Sequence, residues 1–128
     1  MKISVTLSVL LYLIALHSFI VGFVLVIIPI DTLSFFGYYH YQEPFFKVQG
    51  GVFHLVMALV YFLAAWDLSR NRILIYLTII SKFIATAFLF SYYLFIDRIW
   101  MVAASGAGDL IMGILVLMLF LRLPESVD

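Results

Sequence analysis

Four titratable side chains stand deep inside the long apolar stretches of the chain: His17, His54, Lys82 and Asp109. An ammonium and a carboxylate in such surroundings neutralise one another. With imidazoles beside them they can hold the polar headgroup of a quinone or another small amphiphile, its tail lying among apolar side chains. The same set can move a proton, since histidine titrates near physiological pH and desolvation pulls a buried Lys or Asp toward neutrality. As an enzyme site it would use His54 and Asp109 for acid–base steps on a lipid-soluble substrate while Lys82 polarises a carbonyl. His17 and His54 are also the right type for the two axial ligands of a b-type haem. A metal site of His17, His54 and Asp109 has suitable ligands but is opposed by the charge of Lys82, so no metal is expected. Beside all of these stands a purely architectural role, in which a buried pair fixes the register of the helices.

The elements that carry these residues follow from composition. Of 128 residues, 66% are hydrophobic and 11% charged; with a mean hydropathy of +1.22 the chain lies far outside soluble globular values and reads as an integral membrane protein. Four runs reach the length of about 20 residues that crosses about 30 Å of hydrocarbon, roughly residues 3–28, 45–66, 73–96 and 99–121. None alternates as a barrel strand does, and each is apolar nearly all round, as a helix among lipid and other helices should be. Pro29, Pro44, "DLSRNR" and the pair Asp97 and Arg98 divide them. The expected fold is all-α, a membrane-embedded antiparallel four-helix bundle forming a single domain over residues 1–128. The first run opens on "MK", but it is longer than a signal h-region of about 7–15 residues and shows no small-x-small site before Pro29, so it is expected to be retained as a span.

Depth and facing then follow. At about 1.5 Å per residue, Lys82 lies about 14 Å, Asp109 and His54 about 18 Å, and His17 about 21 Å from the end of the bundle that holds the termini. One polar layer near the midplane, with one member from each helix, is therefore expected. A central Lys or Asp costs about 2.5–3.5 kcal/mol to insert and each Leu, Ile, Phe or Val returns about 0.3–0.6, so the helices still insert, and the charges should then face inward. Lys82 should meet Asp109, because the last two spans are consecutive, antiparallel and joined by a short turn. Small residues at spacings of four mark expected packing faces: Gly50, His54 and Ala58 with Gly51 on the second helix, and Ser105, Asp109 and Gly113 with Ala104 and Gly108 on the fourth. On the third, Thr78, Lys82 and Thr86 form a polar stripe.

Several function classes drop out. A net charge of zero offers no basic patch for nucleic acid, and the lack of cysteine removes thiolate metal sites, iron–sulfur clusters, disulfides and thiol nucleophiles. "QGG" and "SGAG" are not phosphate loops, since no strand precedes them and no Gly-Lys-Ser follows. No serine-hydrolase elbow or glycosidase acid pair occurs in the spans. Lys2, Arg70, Arg72 and Arg122 fall at one end and Lys47 and Arg98 at the other, which predicts cytoplasmic termini in a bacterial inner membrane. Trp66, Trp100, Tyr92 and Tyr93 read as interfacial belt residues. The segment "PIDTLSFFGYYHYQEP" from Pro29 to Pro44 is too wet for a span and too apolar for an open loop. It is expected to lie in the interface as a short amphipathic helix or folded cover, with a lid over a ligand cavity as the alternative.

Pro29, the "KVQGG" run from Lys47 to Gly51, Lys82 on the third span and "GAGD" ending at Asp109 resemble, in order and placement, the small four-span bacterial membrane proteins of the DoxX-like group and their uncharacterised relatives. That resemblance implies a four-helix membrane fold and no common activity. From the residues themselves the expected role is binding of a small amphiphile, or docking to a larger membrane complex or a second copy through the small-residue faces. The embedded enzyme and the b-type haem protein are the alternatives, and no cofactor is named by the residues.

Overall fold

The computed structural model describes residues 2–124. Its four long helices are α1 (Ile3–Ile27), α2 (Pro44–Trp66), α3 (Arg72–Phe95) and α4 (Trp100–Phe120), with a 3-10 helix at Ile30–Phe36 between the first two. All four are long and apolar enough to cross a membrane, which makes this an all-α integral membrane protein. The helix ends have local causes. Pro29 has no N–H to continue α1. Pro44 starts α2 with its missing donor among the unpaired ones of a first turn, while the Glu43 carboxylate accepts from the Phe45 N–H at 3.1 Å. The terminal carbonyls of α2 are taken by side chains: Ser8 Oγ donates to Ala65 O and Asn71 Nδ2 to Leu63 O, both at 2.7 Å. In the α2–α3 turn, Asp67 Oδ1 accepts from the Ser69 hydroxyl and from the Arg70 backbone N–H, and these bonds hold its carboxyl below the ordinary range.

The bundle is an up-down-up-down array of two intimate hairpins, α1 with α2 and α3 with α4, which meet more sparsely along α1–α4 and α2–α3. In the first hairpin the backbones touch. A Cβ on Gly22 would sit 2.7 Å from the Gly51 carbonyl oxygen, and one on Gly51 would sit 2.8 Å from that of Gly22. Adjacent helical residues stand about 100° apart; Gly51 points at α1, and Gly50 faces open space. In the second hairpin Gly113 lies under Lys82, with 3.1 Å from a built Cβ to the lysine Cβ, and Gly106 lies against Leu89 and Phe90.

The four-residue spacing read from the sequence picks Gly113 rightly on α4 but not Ser105 or Gly108. Steps of four drift by about 40° each on a helix of 3.6 residues per turn. The stripe that actually turns to α3 alternates fours and threes: the buried Val102, Gly106, Gly113, Val116 and Phe120, with Asp109 between. Ser105 is exposed and Gly108 has nothing within 4 Å, so neither packs the helix pair. The apolar core, built on Leu7, Leu11, Ile14, Met57, Ile75 and Val116, fills the half of the bundle nearer the termini.

The segment after α1 closes the other end. Leu33 is buried, Gly37 adopts the left-handed φ of +94° that only glycine takes freely, and a Cβ there would lie 3.1 Å from the Trp100 ring. Phe36 packs on Trp100 with ring centroids 6.3 Å apart. Burial, reinforced by Tyr92 and Tyr41, pushes the Tyr38 phenol up.

Lys47, which the sequence reading took for a loop-end charge, is buried. Its Nζ donates to Leu25 O at 2.7 Å, Val26 O at 3.4 Å and Ile28 O at 2.8 Å. The i−4 partner of a Pro29 N–H would be Leu25 O, and proline supplies no such proton; the ammonium takes its place and meets the negative end of the α1 dipole. Lys47→Met should therefore cost about 1–3 kcal/mol by stranding those carbonyls. Gly51→Leu should separate the first hairpin, whereas Gly50→Ala should be neutral or stabilise by up to about 1 kcal/mol. Unfolding in detergent, followed for the three variants side by side, measures this order.

Candidate functional site

Antiparallel packing of α3 and α4 brings the residues of opposite charge face to face. Lys82 Nζ donates to Asp109 Oδ1 at 2.6 Å. Gly113, one turn below Asp109, is what lets the backbones come close enough for the two stems to cross. The other side of the ammonium lies 5.2 Å from the centroid of the Tyr61 ring on α2, a cation–π contact worth about 0.5–2 kcal/mol. Lys82 is thus enclosed by an acid and a ring, with its side chain 5% exposed. The Asp109 side chain is 17% exposed. No side-chain oxygen among the described residues is both fully buried and unpaired, so the second carboxylate oxygen, which Lys82 does not bind, is not sealed in.

His54 is half-buried on the α2 face that also carries Tyr61, and the charges it feels are those of Lys82, Asp109 and His17. By the same reasoning its ring nitrogens, bonded to no described residue, are accessible. His17 departs from the expected convergence on the bundle axis. The face of α1 that packs is Leu7, Leu11, Ile14, Ser18 and Gly22, and His17, about 100° round from Ser18, is exposed. The layer is therefore graded: Lys82 sealed, Asp109 and His54 partly open, His17 at the rim.

The geometry limits the chemistry. Lys82 has no free side from which to polarise a carbonyl. Thr78 and Thr86 return their hydroxyls to their own helix, to Leu74 O and Lys82 O at 2.8 Å, and add no ligand groups to the layer. The backbones of α1 and α2 touch at Gly22 and Gly51, about a turn from the two histidines, and His17 faces away from the packed side of α1, so His17 and His54 are not seen to face one another as a pair of axial ligands would. Among the described residues no three His, Asp or Glu side chains cluster as metal ligands. What remains available is a carboxylate oxygen that accepts, two imidazoles that donate or accept, and the Ser105 hydroxyl at the surface one turn above Asp109.

Two participants escaped the sequence reading. Tyr61 was not singled out in the sequence, yet it stands seven residues from His54 and so on the same helical face. The role of Lys47 was legible in Pro29, whose missing N–H announces an unpaired carbonyl four residues before it.

Two apolar grooves run along the outside of the bundle. One, of 290 Å³, lies between α1 and α4 and is lined by Thr6, Leu10, Leu115, Met118, Leu119 and Arg122. The other, of 450 Å³, lies on the α1–α2 face above Ala15 and Ala58.

Asp109→Asn should destabilise the protein by about 3 kcal/mol, the lower end for a broken buried pair because the carboxylate is partly exposed. Adding Lys82→Met should restore most of that loss, since both charges are then gone; thermal unfolding of the two variants in one detergent measures the recovery.

Comparison with family models, with curated proteins and with solved structures finds no match to this chain.

Proposed function

We propose that the protein binds the polar headgroup of a small membrane-dissolved amphiphile on the open side of the Lys82–Asp109 pair. The observation that carries this reading is the unequal sealing of an intramembrane ion pair. An acid and a base that served helix register alone would both be enclosed, because each exposed charged atom at membrane depth costs energy. Here the ammonium is enclosed and one carboxylate oxygen is not sealed in, with His54 near enough to feel both charges. A headgroup that donates a hydrogen bond to that oxygen completes its coordination. Binding rather than carbonyl chemistry is favoured because Lys82 is already engaged on both sides.

The same proposal places both termini in the cytoplasm. With Lys47 absorbed by the carbonyls of α1, Lys2, Arg70, Arg72 and Arg122 at the terminal end stand against Arg98 alone at the other.

Purification in mild detergent followed by mass spectrometry of extracted lipids tests the binding. The wild-type protein should carry one amphiphile in stoichiometric amount, and the doubly neutral Lys82→Met/Asp109→Leu variant, folded but lacking the acceptor, should carry about tenfold less or none. Equal amounts on both proteins, or nothing specific on the wild type, would overturn the proposal.

A further inference from the structure

We infer that the amphiphile reaches Asp109 sideways from the bilayer, through the seam between α1 and α4, and that the seam takes an uncharged, hydroxyl-bearing headgroup on an apolar chain. This rests on the headgroup site proposed above and adds its route and its selectivity.

The route follows from where packing is missing. The end of the bundle above the polar layer is covered by the segment that docks Leu33, Phe36 and Gly37 over Trp100, so the direct path from water is closed on that side. Below the layer lies the apolar core. Along α1–α4 the helices meet sparsely, and the 290 Å³ groove already opens that seam over the half nearer the termini. Its two walls continue toward Asp109 by helical repetition. Seven residues beyond Leu10 on α1 is His17, and seven residues before Leu115 on α4 is Gly108. Seven residues is close to two turns, so each lies on the groove-lining face of its helix, and antiparallel packing sends both in the same direction. At that level the seam is unfilled: His17 and Ser105 are exposed, and a Cβ on Gly108 would meet nothing within 4 Å. Gly106 and Gly113 on the same helix, by contrast, are packed against α3. Gly108 precedes Asp109 directly, about 100° round α4, so the gap lies on the flank next to the face that carries the partly exposed carboxylate.

The occupant follows from charge. A molecule entering the seam meets an acceptor, Asp109, and not the ammonium, which Asp109 and Tyr61 enclose. An anionic headgroup would be repelled. A cation would be attracted to the carboxylate but would leave the already neutral pair with a net positive charge at membrane depth, where that is costly. A hydroxyl donates to Asp109 without changing the charge of the layer, and His17 and Ser105 offer it further hydrogen bonds. The chain then lies along Leu10, Leu115 and Met118.

The test uses the full chain in phosphatidylcholine nanodiscs with a monoacylglycerol carrying a photoactivatable diazirine and an alkyne on its acyl chain. Labelling should concentrate on α1 and α4 around Leu10 and Leu115. Gly108→Phe, which puts a ring into the seam where a Cβ meets nothing within 4 Å, should lower it about tenfold, while Ile84→Phe, at an exposed position on α3 outside the seam, should leave it unchanged. Should Gly108→Phe fail to fold, Ser105→Trp at the exposed neighbouring position carries the same expectation. Labelling spread evenly over all four helices, or undiminished in the blocked variant, overturns the route; a phosphatidic acid probe that labels the seam as strongly overturns the selectivity. If the Lys82→Met/Asp109→Leu variant loses the label while the blocked variant keeps it, the headgroup site stands and the route falls. If both keep it, both fall.

Discussion

An ammonium and a carboxylate in a membrane-spanning bundle are tolerable only together, and the contact between Lys82 and Asp109 fixes much of the rest. It demands that α3 and α4 approach until two side-chain stems can cross, which is why Gly113 lies directly beneath Lys82 and Gly106 beneath Leu89 and Phe90. It demands an enclosing surface for the ammonium on its far side, which Tyr61 of α2 supplies. Through that ring the second hairpin is keyed to the first, at the top of the apolar core that Leu7, Leu11, Ile75 and Val116 share.

The first hairpin has a lock of a different kind. Lysine appears twice in the folded interior with two fates: Lys82 bonds a carboxylate, whereas Lys47 bonds three backbone carbonyls left open where proline ends α1. The second arrangement keeps its positive charge, which suits a residue one turn into α2, near the interface, better than one at mid-depth. Together with the backbone contact of Gly22 and Gly51 it makes α1–α2 a unit independent of α3–α4. Each hairpin is therefore held by its own polar device and close approach. Between the hairpins the core and Tyr61 do this in the half nearer the termini, and the Leu33–Gly37 segment packed on Trp100 does it at the far end. The stretch of the α1–α4 seam between these two contacts is the place where such a bundle separates at least cost.

The number, extent and pairing of the helices were legible because hydrocarbon imposes them. A run of about 20 apolar residues has few alternatives to a span, and a Lys and an Asp at one depth on consecutive antiparallel helices have few alternatives to each other. The side of each helix was harder to read. In α1, nearly every residue is apolar, so hydrophobicity gives no phase, and only packing tells that Ser18 turns inward while His17 does not. On α4 the small residues occupy adjacent positions around the helix; choosing among Ser105, Gly106 and Gly108 requires the crossing geometry with α3, which sequence spacing alone does not contain. Lys47 was obscured by the opposite habit of assigning charged residues near span ends to the interface, and Tyr61 by the lack of any mark that separates one aromatic of an apolar helix from the next.

These two kinds of residue, the ones set by the membrane and the ones set by packing, meet at Asp109. Its presence is explained by Lys82; its partial exposure is not, since a bundle that needed only register would close over it as it closes over the lysine. The glycine beside it works in the same direction: Gly108 in mid-helix gives up about 1 kcal/mol of helix propensity relative to alanine, yet unlike Gly106 and Gly113 it admits no neighbouring helix in return. On the proposed reading, this unfilled position beside a partly exposed acid is where the headgroup comes and goes. The apolar lining of the adjoining groove, in place of a file of polar groups, fits a ligand already dissolved in the bilayer better than a water-borne ion.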